Sequence, residues 1–215
     1  MARNEKRRQK ALARQAAKRK AHRKEASRTA GGRSFVPSLR ASATWPVHEV
    51  LLSREWEQPA QLIEILVARR SPLGQIACGL FLVDLGCLGV KNAFGRVFDS
   101  EADYRRELRD EFEERQPRVR GDLNLAAKII REAIAYARDL GFEPHRDYRP
   151  ASVVLSGADP DACPAKIPLG GDDGKPFYIA GPYDHARAIV DKLIRRLGPD
   201  GFHYIIPIEV DDLDF

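Results

Sequence analysis

The side chains that could most readily form an active site lie in VDLGCLGVKNAF, which contains Asp84, Cys87 and Lys91. A carboxylate at the end of an apolar run, followed by glycines, a thiol and an ammonium group, could form a small active site. In such a site Asp84 would bind a metal or orient Lys91, and Cys87 would be a nucleophile if a neighbouring cation lowered its pKa. A structural interpretation fits the same residues: Asp84 caps a turn and pairs with Lys91, while Cys87 is a small buried apolar side chain.

Two histidines extend the set of catalytic candidates. His145 lies in GFEPHRDY beside acidic residues, and His203 lies in the apolar segment GFHYIIPIEV. If the fold brought either histidine close to Asp84, the group could serve a metal-dependent nuclease or another hydrolase. A loop histidine that caps its neighbour, or a strand histidine bonded to a backbone carbonyl, explains the same residues without any chemistry.

The cysteines do not form a recognisable metal or disulfide motif. Cys78, Cys87 and Cys163 are odd in number, and none belongs to a CxxC pair. This pattern argues against a zinc knuckle and against a disulfide framework. We therefore predict no metal site, no cofactor and a reducing, cytoplasmic compartment.

The segment that leads to Asp84 is predicted to be a central strand. Residues 61–86 contain two apolar runs on either side of Ser71-Pro72-Leu73-Gly74, which is typical of a hairpin turn with Gly74 at positive φ. In the second run both alternating sets of side chains are apolar, which indicates a strand covered on both faces. Further strands are predicted within 47–53, 176–181 and 201–210, the last of them at a sheet edge because of its proline.

Three helices are predicted around these strands. The first, 100–115, begins with the capping residue Ser100; the second, about 122–140, has one wide apolar face; and the third, 182–197, begins at Pro182. Because the early strands lack helical crossovers, the pattern predicts an α+β domain. We expect a single compact unit with a mixed or largely antiparallel sheet and about three packed helices.

Three stretches of the chain resemble an uncharacterised group of bacterial proteins. They are FLVDLGCLGVK (81–91), FYIAGPYD (177–184) and GFHYIIP (201–207). The resemblance would cover most of residues 45–210 and includes no catalytic signature. It implies a bacterial cytoplasm, and no activity, fold or site residue follows from it.

The first 28 residues form a concentrated block of positive charge, which we call the basic arm. Its residues favour a helix, but a helix with charge on nearly every side has no apolar stripe to bury. We expect the arm to be disordered alone, or helical when a polyanion neutralises it. Its 12 basic residues are Arg3, Lys6, Arg7, Arg8, Lys10, Arg14, Lys18, Arg19, Lys20, Arg23, Lys24 and Arg28.

The arm is suited to phosphate contacts and poorly suited to reading bases. A cationic stripe can follow a phosphate backbone, because each neutralised phosphate releases counterions. The arm has no aromatic residue to stack on bases. It also lacks the large apolar residues that would insert into a membrane, so we predict no membrane partner.

The positive charge is concentrated in the first 40 residues, and the rest of the chain is net negative. The formal net charge is +5, of which residues 1–40 contribute about +12 and residues 41–215 about −7. We divide the chain into the basic arm (1–28), a linker (29–46) and an α+β domain (47–215) that ends in the acidic tail DDLDF. The longest apolar run is interrupted by glycines and Asp84, so no membrane-spanning segment is predicted.

Together these features predict a cytoplasmic RNA- or ribosome-associated protein that is anchored by its arm in a sequence-independent way. Two alternatives remain open. One is a nuclease or other hydrolase that uses Asp84 and a histidine, and the other is an interaction module whose arm binds an acidic protein partner. The sequence predicts no oligomeric state.

Overall fold

The structure is a computed structural model that describes residues 38–206. The basic arm, the first part of the linker and the acidic tail lie outside the described residues. The described chain has the predicted α+β fold. A five-stranded antiparallel sheet carries helices on both faces, and a separate two-stranded parallel sheet lies towards the end of the chain.

The large sheet has the strand order β4-β3-β2-β1-β5. Its strands are β1 (Val47–Ser53), β2 (Leu62–Arg70), β3 (Ile76–Asp84), β4 (Gly89–Phe98) and β5 (Arg118–Arg120). Neither β4, the longest strand, nor the short β5 was predicted from the sequence. The segment GVKNAFGRVF carries two glycines and several polar residues, which hid its strand character, and only four of its ten residues are buried.

The predicted hairpin between β2 and β3 is confirmed. Ser71 donates its backbone N–H to the carbonyl oxygen of Gln75 at 2.9 Å, and Gly74 has a φ of 88°. A residue with a side chain is strained at that φ, so glycine is required by the turn itself.

The prediction that β3 is covered on both faces is also confirmed. Phe81 and Val83 belong to a core that packs against the long helix, whereas Ile76 and Cys78 belong to a second core on the opposite face. Tyr104, which is fully buried, also belongs to that second core. Because β3 is buried on both sides, its C-terminal residue Asp84 is held in a fixed position.

The predicted helix at 100–115 contains an irregular turn. It consists of α1 (Glu101–Tyr104), a π-helical turn (Arg105–Arg109) and α2 (Asp110–Arg115). As predicted, Ser100 caps it: the Ser100 hydroxyl accepts the backbone N–H of Asp103 at 3.1 Å.

The predicted helix at 122–140 is confirmed as α3 (Leu123–Asp139), which is capped by the Asp122 carboxylate at the backbone N–H of Leu125. Ile129 and Ile130 on its apolar face are fully buried against the sheet. A short helix that the sequence did not reveal, α4 (Tyr148–Ala151), follows and continues into a 3-10 turn.

A buried arginine fastens the start of the described chain to the sheet. Within the predicted linker, Leu39–Thr44 form a 3-10 helix, and Leu39 packs against the main core. The Arg69 guanidinium on β2 donates to the carbonyl oxygens of Trp45 at 2.6 Å and Val154 at 2.7 Å. Residues 39–45, which the sequence assigns to the linker, therefore pack with the domain.

The last part of the chain forms the small sheet and the last helix. Strands β6 (Phe177–Ile179) and β7 (His203–Ile205) pair in parallel, and α5 (Ala186–Leu197) connects them. The prediction that this helix begins at Pro182 is wrong, because residues 182–185 form a turn fixed by Asp184, which accepts the backbone N–H of Gly181 at 2.9 Å. Within residues 38–206, no helix combines the length and apolar character needed to cross a membrane.

Candidate functional site

The site is built around Asp84, which caps the turn between β3 and β4. Its Oδ1 accepts the backbone N–H groups of Cys87 at 2.8 Å and Leu88 at 3.2 Å. The residue is 7% exposed. The structural interpretation of the sequence expected this capping role.

Burial changes the pKa of the Asp84 carboxyl. It raises the pKa of this group above the usual range, although the backbone N–H groups of Cys87 and Leu88 and the charge of Lys91 all favour the ionised form. Desolvation is therefore the stronger effect. A carboxyl that combines burial, a raised pKa and access to a groove has the properties of many functional carboxyls.

Cys87 lies in an apolar environment that suppresses its reactivity. Its side chain is fully buried in a cluster with Tyr178, Leu193 and Phe202. Burial, together with the negative charge of Asp84, raises the pKa of the Cys87 thiol. A thiolate nucleophile needs the opposite shift.

Lys91 on β4 pairs with a carboxylate far away in the sequence. Its Nζ lies 2.7 Å from Asp184 Oδ2, and both side chains are mostly buried. Asp184 also accepts hydrogen bonds from the Tyr178 hydroxyl at 3.2 Å and from the backbone N–H of Gly181. Burial alone would raise the pKa of Asp184, but these donors together lower it, which favours the ionised Asp184 carboxylate. The alternative pairing of Lys91 with Asp84, expected from sequence spacing, is replaced by this contact.

Asp84 and Lys91 nevertheless share one groove. The groove has a volume of about 290 Å³ and lies between the start of β2 and the outer side of β6. Most of its surface is apolar, and Asp84 and Lys91 supply the charged groups. Its lining residues are Ala60, Gln61, Leu62, Asp84, Lys91, Phe177, Ile179, Ala180 and Gly181.

Gly86 sets the distance between β6 and the turn that holds Asp84. Phe177 donates its backbone N–H to the carbonyl oxygen of Gly86 at 3.0 Å. A Cβ atom at position 86 would lie only 2.2 Å from the Phe177 carbonyl oxygen. The glycine therefore allows β6 to form one wall of the groove.

A strained residue lies on the opposite wall. Ala60 has a φ of 54°, and among residues 38–206 no other non-glycine residue has a positive φ. Its backbone N–H donates to the carbonyl oxygen of Gly170 at 2.8 Å, which holds the strained conformation in place. Such strain is commonly found at ligand sites.

The two histidines do not line this groove. His145 donates its backbone N–H to the carbonyl oxygen of Val90 at 2.9 Å, and its Nδ1 accepts the backbone N–H of Asp147. His203 Nε2 lies 2.8 Å from Asp173 Oδ2. Of the predicted catalytic residues, Asp84 and Lys91 therefore line the same groove. Each histidine instead contacts residues that do not line the groove.

Sequence reasoning missed the partners that complete the site. Tyr178 and Asp184 belong to one segment and Gly86 to another, and only the proximity of β6 to the β3–β4 turn unites them. Within residues 38–206, no group of three or more His, Cys, Asp or Glu side chains is arranged to hold a metal ion. The basic residues of the arm lie outside the described residues.

No match was found in comparisons of the chain with protein-family models, curated proteins and solved structures.

Proposed function

We propose that the protein is a cytoplasmic RNA- or ribosome-associated protein, anchored by sequence-independent contacts of its basic arm with phosphates. The observation that carries this proposal is the separation of charge along the chain. Residues 1–28 contain 12 Lys or Arg and two acidic residues, whereas the chain from residue 41 onward is net negative. A cationic segment without aromatic residues binds phosphates through charge and counterion release.

The ion pairs of the domain support the proposal that the arm, rather than the domain, contacts phosphates. Many arginines of the described residues already contact a carboxylate within 4 Å, so a phosphate would have to compete with an existing partner. These pairs are Arg70–Glu101, Arg96–Glu107, Arg105–Asp110, Arg106–Asp103, Arg109–Glu49, Arg115–Glu111, Arg118–Glu64, Arg131–Asp161, Arg138–Glu143 and Arg146–Asp147. The arm has two acidic residues for its 12 basic ones, so its own sequence neutralises little of its positive charge.

The proposal is tested by sedimentation of the full-length chain with purified ribosomes and with ribosome-free RNA. The matched variant replaces all 12 basic residues of the arm by Gln, which preserves the length and the helix propensity of the arm. We expect the unaltered chain to sediment with ribosomes and RNA, and the variant to stay in the supernatant.

A nuclease control separates this proposal from an arm that binds an acidic protein. If RNA is the partner, digestion of a lysate with ribonuclease will shift the chain from heavy fractions to light ones. Unchanged sedimentation after digestion would contradict the proposal and favour a protein partner.

A further inference from the structure

The charged groups in the groove beside Asp84 have hydrogen-bonding capacity that the described residues do not use. An ammonium group has three N–H donors, and among residues 38–206 the Lys91 Nζ donates only to Asp184. Asp84 Oδ1 accepts two backbone N–H groups, whereas no side chain in the described range donates to Oδ2. The groove therefore offers both a donor and an acceptor.

The walls of the groove are suited to a flat, weakly polar ring. Leu62 and Ile179 are both almost half exposed, at 47% and 45%, and they flank the charged pair together with Phe177. Apolar side chains that remain exposed around a polar pair favour a ligand with apolar faces and a polar edge. The volume of about 290 Å³ lies at the lower end of the range for small-molecule sites, which suits one base or nucleoside.

We propose that this groove binds a guanine base, with the base edge directed towards Asp84 and Lys91. The O6 of guanine accepts a hydrogen bond from the Lys91 ammonium, and its adjacent N–H donors reach Asp84 Oδ2, the carboxylate oxygen to which no side chain of the described residues donates. Guanine presents two N–H donors beside a carbonyl acceptor on one edge, which matches a carboxylate next to an ammonium group. Adenine has one amino donor beside a ring nitrogen and fits this pair less well.

A free nucleoside and an RNA strand present the same guanine ring and edge, so either one can supply the base. If the base belongs to RNA, the groove adds base selectivity to a chain whose arm contacts phosphates only. The inference does not rest on the proposed function of the arm, because a base can bind in the groove whether or not the arm contacts phosphates.

The first experiment uses nucleosides, which carry no phosphate and so do not engage the arm. The ¹⁵N-labelled full-length chain is titrated with guanosine and, in parallel, with adenosine, and backbone amide shifts are followed by NMR. We expect saturable shifts at residues around Gly86 and Ile179 with guanosine, and binding at least several-fold weaker with adenosine. The absence of saturable shifts, or equal affinity for both nucleosides, would overturn the inference whatever the arm binds.

Two variants test the contacts. Asp84→Asn keeps an oxygen that can accept the N–H groups of Cys87 and Leu88, but it replaces the other oxygen by a donor. We expect it to weaken guanosine binding about tenfold or more, the scale of a lost hydrogen bond to a charged group. Leu62→Ser removes an exposed wall residue without a change in the turn, and it too should weaken binding.

The matched control is Asp161→Asn, which changes an exposed carboxylate outside the groove and should leave guanosine affinity unchanged. If Asp84→Asn fails to fold, Leu62→Ser gives the decisive result. Guanosine affinity that is unchanged in Leu62→Ser would then overturn the inference.

A last experiment distinguishes a free nucleoside from RNA as the source of the guanine. A pentanucleotide with a central guanosine between uridines is compared with pentauridine, using the chain whose arm is neutralised. A shift pattern at the groove that requires the central guanosine assigns the site to RNA. If free guanosine gives this pattern and the pentanucleotide does not, the ligand is a free nucleoside or nucleotide.

Discussion

The Lys91 Nζ lies 2.7 Å from Asp184 Oδ2, and this pair joins strand β4 to the turn that precedes α5. The two residues are 93 positions apart in the sequence. The Lys91 side chain is 15% exposed and the Asp184 side chain 11%. An ion pair with this degree of burial depends on both partners, since the loss of one leaves a charge that water reaches poorly.

Loss of the Asp184 charge should therefore destabilise the fold. We expect Asp184→Asn to lower the free energy of unfolding by about 2–3 kcal/mol, the usual cost of a lost charged hydrogen bond with limited exposure. In a double-mutant cycle with Lys91→Met, the double variant should lose less than the sum of the two single changes. As a control, Glu143→Gln breaks an exposed pair with Arg138 and should change stability by less than about 0.5 kcal/mol. Strict additivity at positions 91 and 184 in urea denaturation would contradict the pairing.

The raised pKa of Asp84 predicts that its contribution to the stability of the fold decreases as the pH rises. Its raised pKa means that the folded chain binds this proton more tightly than the unfolded chain. Its contribution to stability is therefore largest below the unfolded value of about 3.9 and is lost as the pH rises through the folded pKa. Asp84→Asn removes this contribution and preserves an acceptor for the turn. The free energy of unfolding is measured by urea denaturation for both chains. The value for Asp84→Asn minus the value for the original chain should be larger at pH 7 than at pH 4. A difference that is the same at both pH values would show that burial does not raise this pKa.

The Cys87 thiol should be unreactive in the folded protein. It is fully buried, and its pKa is raised by burial and by the charge of Asp84. At pH 8, iodoacetamide should leave the peptide that contains Cys87 unmodified in the native chain and should alkylate it rapidly in denaturant, as read by mass spectrometry. Fast alkylation of the native chain would instead indicate an accessible, activated cysteine and would revive its role as a nucleophile.

The Tyr136 hydroxyl is predicted to contribute nothing to stability. Among residues 38–206 it is the one buried side-chain polar atom without a hydrogen-bond partner, and burial raises its pKa to about 12. Tyr136→Phe should leave thermal stability unchanged or increase it by up to about 1 kcal/mol, because an unsatisfied polar group is removed. The paired comparison is Tyr178→Phe, which loses a hydrogen bond to Asp184 and should cost about 1 kcal/mol. A larger loss in Tyr136→Phe than in Tyr178→Phe would show that Tyr136 has a partner.

Much of the fold follows from local sequence patterns. The β2–β3 hairpin is marked by Gly74, and α3 is marked by its apolar face and the cap at Asp122. Strand β4 escaped prediction because Gly89, Gly95 and its polar residues weaken the alternating pattern, and because it lies at the edge of the sheet. Neighbours in space, rather than local propensity, stabilise such a strand.

The site could be predicted only in part for a related reason. The interpretation of Asp84 as the cap of the turn is confirmed, but its expected pairing with Lys91 is replaced by the Lys91–Asp184 pair, although both Asp84 and Lys91 line one groove. Their partners depend on contacts made after folding: Asp184 reaches Lys91 only because β6 packs beside Gly86. Charge and spacing along a sequence do not encode a contact between segments more than 90 residues apart.

The central claim is that the basic arm anchors the protein on RNA, and the salt dependence of binding tests it most directly. The dissociation constant of the full-length chain for a single-stranded RNA is measured by fluorescence anisotropy from 50 to 300 mM KCl. If the arm engages about 6–8 phosphates, the association constant should fall with salt with a log–log slope of about −4 to −7, and the chain whose 12 basic residues are Gln should bind far more weakly with a slope near zero. Equal affinity and equal slope for the two chains would contradict the claim.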